Sequence, residues 1–597
     1  RHGTSVVSAL MTDWSKLKPC WAHSVPQQQA NDSALLLNKL LCLCSEVSIP
    51  RSTFVDLFVD AFVMMLRRGS AKLGDKVAAM EMLPLLAEDE RPEISAKLRE
   101  ALEEMAAQHF PLECSDLLPG SLDFLAYTAA LNKLVNAVET SGNPVLLDLA
   151  VRIIYRERNH FMEEEFLSAL RRMAGRSSET KQTHLVRATY KLFVDNPSLP
   201  THLRLAVAQK VLCMLLKRCS KSTLRTFFAE NAADMIDTIA ARLVSSSDSQ
   251  IVSKIGAFAC LEDLYSRFRK DEVMGQQSEI NAAFCKARRI AAVAGNELTK
   301  EVTRCASSTK RDDARGETKF LDLRLGLRCA AYNTLAAVIT CTQVEPNFYD
   351  VFLLQEKPEK GEYLWNNLVD SGITYKFPLE RDVPTRRKKQ LIGTTESVPE
   401  STDVGRRQPR HVQATLLSGS SLAKDATQFS LSLSEQAFFR ANKCDVDSPT
   451  PDVKDKVFER MKFVDLEDDE LNNHQCMASV CYMFSHMADV GIVPKEVKVE
   501  DAAAPKWLTN IINALVGDYM TKNALLFLIR ALVNSAEVLT PYSHHLVPPL
   551  LEVIASQQLG SVLDSFVIDV VVTILVWSSS YETEELLQRC NNAKPQP

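Results

Sequence analysis

His474, Cys476, Cys481 and His486 are the residue types that hold zinc, and they fall close together in the sequence. On one helix, His474 and Cys481 would share a face two turns apart, while His486 would point well away. A single helix therefore cannot converge three of these ligands. Structural zinc ligands also usually come in closely spaced pairs on turns. The stretch reads as a half-buried helix with incidental Cys and His. Phosphoryl transfer needs a glycine loop over the phosphates and an aspartate that holds metal. The chain has no GxGxxG, HRD or DFG string, and Asp123-Phe124-Leu125 only resembles the last, inside an apolar run. P-loop, HExxH and GxSxG strings are absent too. The expectation is that this chain contributes no catalytic, cofactor-binding or metal-binding residue.

A second kind of chemistry is electrostatic. Arg386, Arg387, Lys388 and Lys389 form a basic run, and Arg406, Arg407 and Arg410 follow it. Such a cluster could bind nucleic acid or an import receptor. It could equally be solvated charge that keeps a linker extended. No aromatic residues interleave with it as single-strand stacking requires. Hydroxyls crowd the same region, among them Thr394, Thr395, Ser397, Ser418, Ser420, Thr427, Ser430, Ser432 and Ser434. An accessible hydroxyl can take a phosphate, which adds nearly two negative charges. Beside Arg406, Arg407 and Arg410, that would change how the segment docks.

The elements around these residues are helical. Phe54, Leu57, Phe58, Ala61, Phe62 and Met65 recur at i, i+3, i+4, i+7, i+8 and i+11. Ile94, Leu98, Ala101, Leu102 and Met105 repeat the pattern, as do Leu146, Leu149, Ala150, Ile153 and Ile154, and Leu508, Ile511, Ile512 and Leu515. Asn143-Pro144 is a cap followed by proline at the first helical position, and Pro92 and Pro505 read the same way. Only 19 glycines occur in 597 residues, about half the usual share, which disfavours tight β-turns. The chain exceeds the size of one core. The expected fold is all-α: a solenoid of HEAT-like helical hairpins over 1–380, a disordered linker over 381–455, and a resumed solenoid over 456–597. HEAT repeats are degenerate, so the lack of an exact period is compatible with this. The run Phe566–Trp577 is too short to span a bilayer and contains Asp569, so it reads as a buried helix.

The formal charge of −6 is spread over a long chain and argues against a wholly basic nucleic-acid binder. The 15 cysteines lack a CxxC pair and sit mostly in apolar runs, which suits reduced thiols in cytosol or nucleus. The first residue is Arg with no charged-then-apolar leader after it, so a piece of a longer polypeptide is expected.

Several short strings are collinear with one family. They are Leu264-Tyr-Ser-Arg267, Gly295-Asn-Glu-Leu-Thr-Lys300, Cys329-Ala-Ala-Tyr-Asn333, Glu356-Lys-Pro-Glu-Lys360 and Asp468-Asp-Glu-Leu-Asn-Asn-His-Gln-Cys-Met477, preceded by a string beginning at Arg156. The set resembles the central helical-repeat region of the DNA-dependent protein kinase catalytic subunits, within the phosphatidylinositol-3-kinase-related kinases. The resemblance implies a cradle of HEAT-like helix pairs in a nuclear serine/threonine kinase that acts with the Ku heterodimer at double-stranded DNA ends in non-homologous end joining. It places ATP and magnesium in a kinase domain outside this chain. It also implies a linker with autophosphorylation sites. These kinases favour Ser or Thr before Gln, which singles out Thr427 before Gln428, although Ser249-Gln250, Thr342-Gln343 and Ser556-Gln557 also occur. Gln428–Ser434 is similar to a Ser-alternating stretch there, but Ser434 precedes Glu435 rather than Gln. A non-enzymatic HEAT or armadillo adaptor fits the bulk composition equally. A metal-dependent enzyme would need bound zinc.

Overall fold

A computed structural model describes residues 51–377 apart from 70, 90, 197–198, 244–246 and 312–319, then 386–396, 459–495, 503–556 and 564–578, with positions 9, 26, 29, 32 and 36 before them. Thr427, Arg406, Arg407 and Arg410, and most of the expected linker, lie outside the described residues.

The fold is all-α, an α-solenoid. Its helices of eight or more residues are α1 (Arg51–Leu66), α2 (Leu73–Met80), α3 (Pro92–His109), α4 (Leu122–Ser141), α5 (Pro144–Ile154), α6 (Glu163–Arg176) and α7 (Glu179–Val194). After a broken helix over Thr201–Ala206, Val207–Leu212 and Cys213–Arg218 come α8 (Lys221–Ala240), α9 (Asp248–Arg267), α10 (Glu279–Arg288), α11 (Glu297–Thr309) and α12 (Leu321–Thr342). The last five are α13 (Met477–Asp489), α14 (Lys506–Val516), α15 (Lys522–Asn534), α16 (Ser543–Ala555) and α17 (Asp564–Ser578).

Each helix packs on elements near it in sequence. α1 meets α3, α3 meets α5, α5 meets α7, α7 meets α8, α8 meets α9, and α9 meets α12. Buried side chains from Val55 to Trp577 join into one core. That is how a solenoid buries stripes that no single hairpin could cover. The joins are made by local chemistry. Gly142 ends α4 in the left-handed region at φ 62°, where only glycine sits without cost. Asn143 then accepts from the Val145 amide at 2.9 Å, and Pro144 opens α5. Pro92 likewise opens α3, whereas Pro505 caps α14 from outside.

The chain divides into two compact units, one of Arg1–Gly393 with Lys462–Pro597 and another of Thr394–Met461. In the first unit, the structure corrects the expected linker boundary. Residues 387–393 do not continue a disordered stretch; they belong to a strand, β1 (Arg387–Glu396), paired with β2 (Glu459–Glu467). The Asp468 amide donates to Arg386 O at 2.7 Å, so the start of β1 meets the end of β2 and the pair is antiparallel. In β2, Lys462, Val464 and Leu466 turn inward while Phe463 and Asp465 are exposed, the two-residue period of a strand. The ladder satisfies backbone groups that a coil would leave to water.

The run Phe566–Trp577 is helical, but only one face is buried. Phe566, Val570, Ile574 and Trp577 are covered, whereas Val572, Leu575 and Val576 are 51%, 61% and 62% exposed. No single helix among the described residues is long and apolar enough to cross a membrane.

Candidate functional site

The basic run is the sequence-predicted site that the structure describes. Arg386, Arg387, Lys388 and Lys389 are all exposed at the start of β1. Arg387 Nε donates to Asp465 Oδ1 at 3.1 Å and its Nη2 to Asp465 O at 3.2 Å, so part of its charge is answered by β2. The strand is fixed to the solenoid. A Cβ on Gly393 would lie 2.5 Å from Ser266 O in α9, so only glycine allows this approach. Lys217 Nζ reaches Leu391 O at 3.5 Å and Asp263 at 3.6 Å. Burial lifts the Glu262 carboxyl to about 7, with Lys217 opposing the rise and Asp263 adding to it. The basic residues thus sit on a fixed strand.

The metal-capable set is scattered. His474 Nδ1 accepts from the Cys476 amide at 3.2 Å, so Nε2 carries the proton and donates to Leu368 O at 3.1 Å. Its ring meets Phe527 at 4.6 Å. Cys476 is fully buried against Cys329. Cys481 faces Ser535 and Asn534, and burial pushes its thiol up to about 11. His486 Nδ1 lies 3.0 Å from Tyr349 Oη, and burial, helped by Lys462, pushes it down to about 4.

Two strings some 140 residues apart in sequence meet at this point. Asn333 Nδ2 donates to Gln475 O at 3.0 Å, and the Cys329 thiol donates to Leu368 O at 3.3 Å. A hydrogen bond from Cys476 lowers the Cys329 thiol below its usual range, and burial raises the Cys476 thiol. Around them, Asn366 Nδ2 donates to Tyr519 O at 2.8 Å, and Asn523 Nδ2 donates to Asp370 O and Ile373 O at 2.6 and 2.7 Å. Arg530, 5% exposed in its side chain, pairs with Glu467 at 3.1 Å, Asp469 at 2.5 Å and Asp569 at 2.7 Å. The other strings also serve joins. Glu356 accepts from the Leu364 and Trp365 amides at 3.0 and 3.1 Å, capping the short helix Leu364–Leu368. Glu297 accepts from the Ala294 amide at 2.8 Å and from Asn281 Nδ2 at 2.9 Å, which pulls its carboxyl down to about 2.

One cluster escaped the sequence reading. Ligand atoms of Cys114, Glu157 and His160 lie within 4.8 Å of one another. Glu157 accepts from the Cys114 amide at 3.0 and 3.1 Å. His160 Nδ1 accepts from the Met162 amide at 3.1 Å, so Nε2 carries the proton and donates to Tyr127 Oη at 3.1 Å. Neither ring nitrogen has a lone pair left for a cation. Burial, then Glu157, pushes the Cys114 thiol up to about 12. These groups tie the loop before α4 to the loop after α5. Glu157 lies 43 residues from Cys114, so no local spacing announces the tie.

Comparison with known proteins places the chain. A family model described as DNA-dependent protein kinase catalytic subunit, CC3, matches residues 204–581, and one described as CC1/2 of the same subunit matches residues 1–147. The DNA-dependent protein kinase catalytic subunit of Gallus gallus is 31% identical over 591 residues, covering 97% of this chain and 14% of that protein. The Canis lupus familiaris protein of that name is 30% identical with the same coverage, and the Dictyostelium discoideum one is 22% identical over 82% of this chain and 11% of its own length. The chain therefore spans about one seventh of the curated relatives it matches. It belongs to the DNA-dependent protein kinase catalytic subunit family.

Proposed function

We propose that this chain is the non-catalytic central scaffold of a nuclear DNA-dependent serine/threonine protein kinase that acts with Ku at double-strand breaks in non-homologous end joining. ATP and magnesium would bind in a kinase domain outside this chain. The observation that carries the reading is the CC3 match, which runs over 204–581 and so covers both flanks of the 397–458 segment. In support, the strings on either flank pack on each other through Asn333 and Gln475. Thr427 is the proposed phospho-acceptor. Its phosphate would add close to two negative charges near Arg406, Arg407 and Arg410 in sequence. The basic run Arg386–Lys389 is the proposed electrostatic contact for DNA phosphates, favoured by its exposure on a fixed strand.

The test uses the full-length polypeptide with ATP, Ku and broken DNA, followed by phosphosite mapping. Phosphate on Thr427 that depends on DNA ends supports the reading. An active preparation that leaves Thr427 unmodified overturns the switch. A full-length polypeptide with no kinase domain overturns the scaffold-of-a-kinase reading and favours an adaptor.

A further inference from the structure

Among the described residues, two pairs of thiols are closed inside the solenoid. Cys213 opens the helical segment Cys213–Arg218 and meets Cys260 of α9. Cys329 of α12 meets Cys476, the residue before α13. The four residues are 7%, 0%, 2% and 0% exposed, so access does not separate the pairs. Their surroundings do.

The Cys476 thiol lies 3.8 Å from Cys329 O, and the Cys329 thiol donates to Leu368 O at 3.3 Å. His474 Nε2 donates to that same oxygen at 3.1 Å, which brings an N–H beside the Cys329 sulfur. One turn further along α12, Asn333 Nδ2 donates to Gln475 O at 3.0 Å. The backbone that carries Cys476 is thus fixed against the helix that carries Cys329. Hydrogen bonds from Cys476 and then from His474 hold the Cys329 thiol below its usual range, against the effect of burial.

The other pair has the opposite neighbour. Asp263 stands beside Cys213, and its carboxyl adds to the effects of the Cys260 hydrogen bond and of burial. Together they hold the Cys213 thiol well above its usual range, although Lys217 opposes them. The thiolate, not the thiol, attacks an oxidant. Cys329 with Cys476 is therefore set to react, and Cys213 with Cys260 is set to stay reduced.

We propose that Cys329 and Cys476 form a reversible disulfide when hydrogen peroxide reaches the junction. The Cys329 thiolate attacks one peroxide oxygen, the O–O bond breaks, and the leaving hydroxide takes up a proton to become water. Cys329 is then a sulfenic acid. The Cys476 sulfur attacks the Cys329 sulfur and gives up its proton, the S–O bond breaks, and a second water leaves. Two thiols are oxidised to one S–S bond, and one peroxide is reduced to two waters. Peroxide is little larger than water and enters through local openings of the native structure. The bond ties α12 to the start of α13 and closes the chain between them, 397–458 included, into a covalent loop. The two flanks cannot part while it stands. None of this needs kinase activity, so failure here leaves the functional reading above intact.

The test treats the reduced full-length polypeptide with graded hydrogen peroxide, blocks the remaining thiols with N-ethylmaleimide and maps unreduced peptides by mass spectrometry. A peptide joining Cys329 to Cys476 should appear with peroxide and vanish with dithiothreitol. It should form about tenfold faster than any peptide joining Cys213 to Cys260, following the larger thiolate fraction at Cys329. In Cys476→Ala the sulfenic acid has no partner thiol, so dimedone should label Cys329 more strongly than in the parent. Should that variant fold poorly, the peptide map of the parent decides alone. Absence of the Cys329–Cys476 peptide, equal oxidation of the Cys213–Cys260 pair, or Cys329 joined mainly to another cysteine would overturn the proposal.

Discussion

The run α1–α7 and the junction around Asn333, His474 and Arg530 hold together by different means. In α1–α7, partners are near in sequence, and contact is made by apolar stripes such as Leu98, Leu102, Leu131, Leu134 and Leu146, all at most 2% exposed. Helices there satisfy their own backbone, so helix-on-helix packing needs only complementary shape, and side-chain to backbone ties such as Glu157 to the Cys114 amide serve the loops between them. At the junction, the segments 369–375 and 468–476 are mostly turns and extended chain. Their carbonyls need outside donors. Asn333 and Asn523 supply them from elements far away in sequence, and Asn366 and His474 donate in the same way to the Tyr519 and Leu368 carbonyls beside them. A solenoid interrupted by a long insertion is thus rejoined by directional side-chain to backbone bonds, which fix register where a sliding apolar contact would not.

This comparison can be broken in several ways, each read by native-state hydrogen exchange on the full-length polypeptide. The largest effect is expected from Leu131→Ala in α4. The residue is fully buried, and its truncation should cost about 3–4 kcal/mol of local opening free energy, felt in α2 to α6 and not at the junction. Arg530→Ala should come next, at about 3 kcal/mol. It strands three carboxylates, two of them partly in water, and should speed exchange in 468–477 and α17 together. Asn523→Ala leaves two carbonyls without a donor and should cost about 2 kcal/mol, confined to 370–375 and α15. Arg387→Ala removes an exposed pair with Asp465 and should change stability by under about 0.5 kcal/mol. If the Arg530 and Asn523 effects stayed among elements neighbouring in sequence, as that of Leu131→Ala should, the contrast between the two regions would fail.

The two regions also differed in how far the sequence revealed them. Helical stripes and the Asn143-Pro144 start are local signals, and α5 begins where they place it. The paired strands were not legible. The basic run suggested solvated coil, and the strand that completes it lies some 70 residues on, past the residues that looked like linker. The alternation in 459–467 was a usable signal, hidden because the region was assigned to helix. The exposed face of α17 was missed because a continuous apolar run carries no period that separates one buried face from two.

The central claim is that the junction, and not the peptide chain through 397–458, holds the two flanks together. A specific protease site placed at Ser418–Ser421 of the full-length polypeptide tests it directly. After complete cleavage the two pieces should still elute as one species on size exclusion, and Asn523→Ala, which removes the bonds to Asp370 O and Ile373 O on the other piece, should make them separate more readily. Pieces that part on cleavage in the unmutated polypeptide would contradict the account.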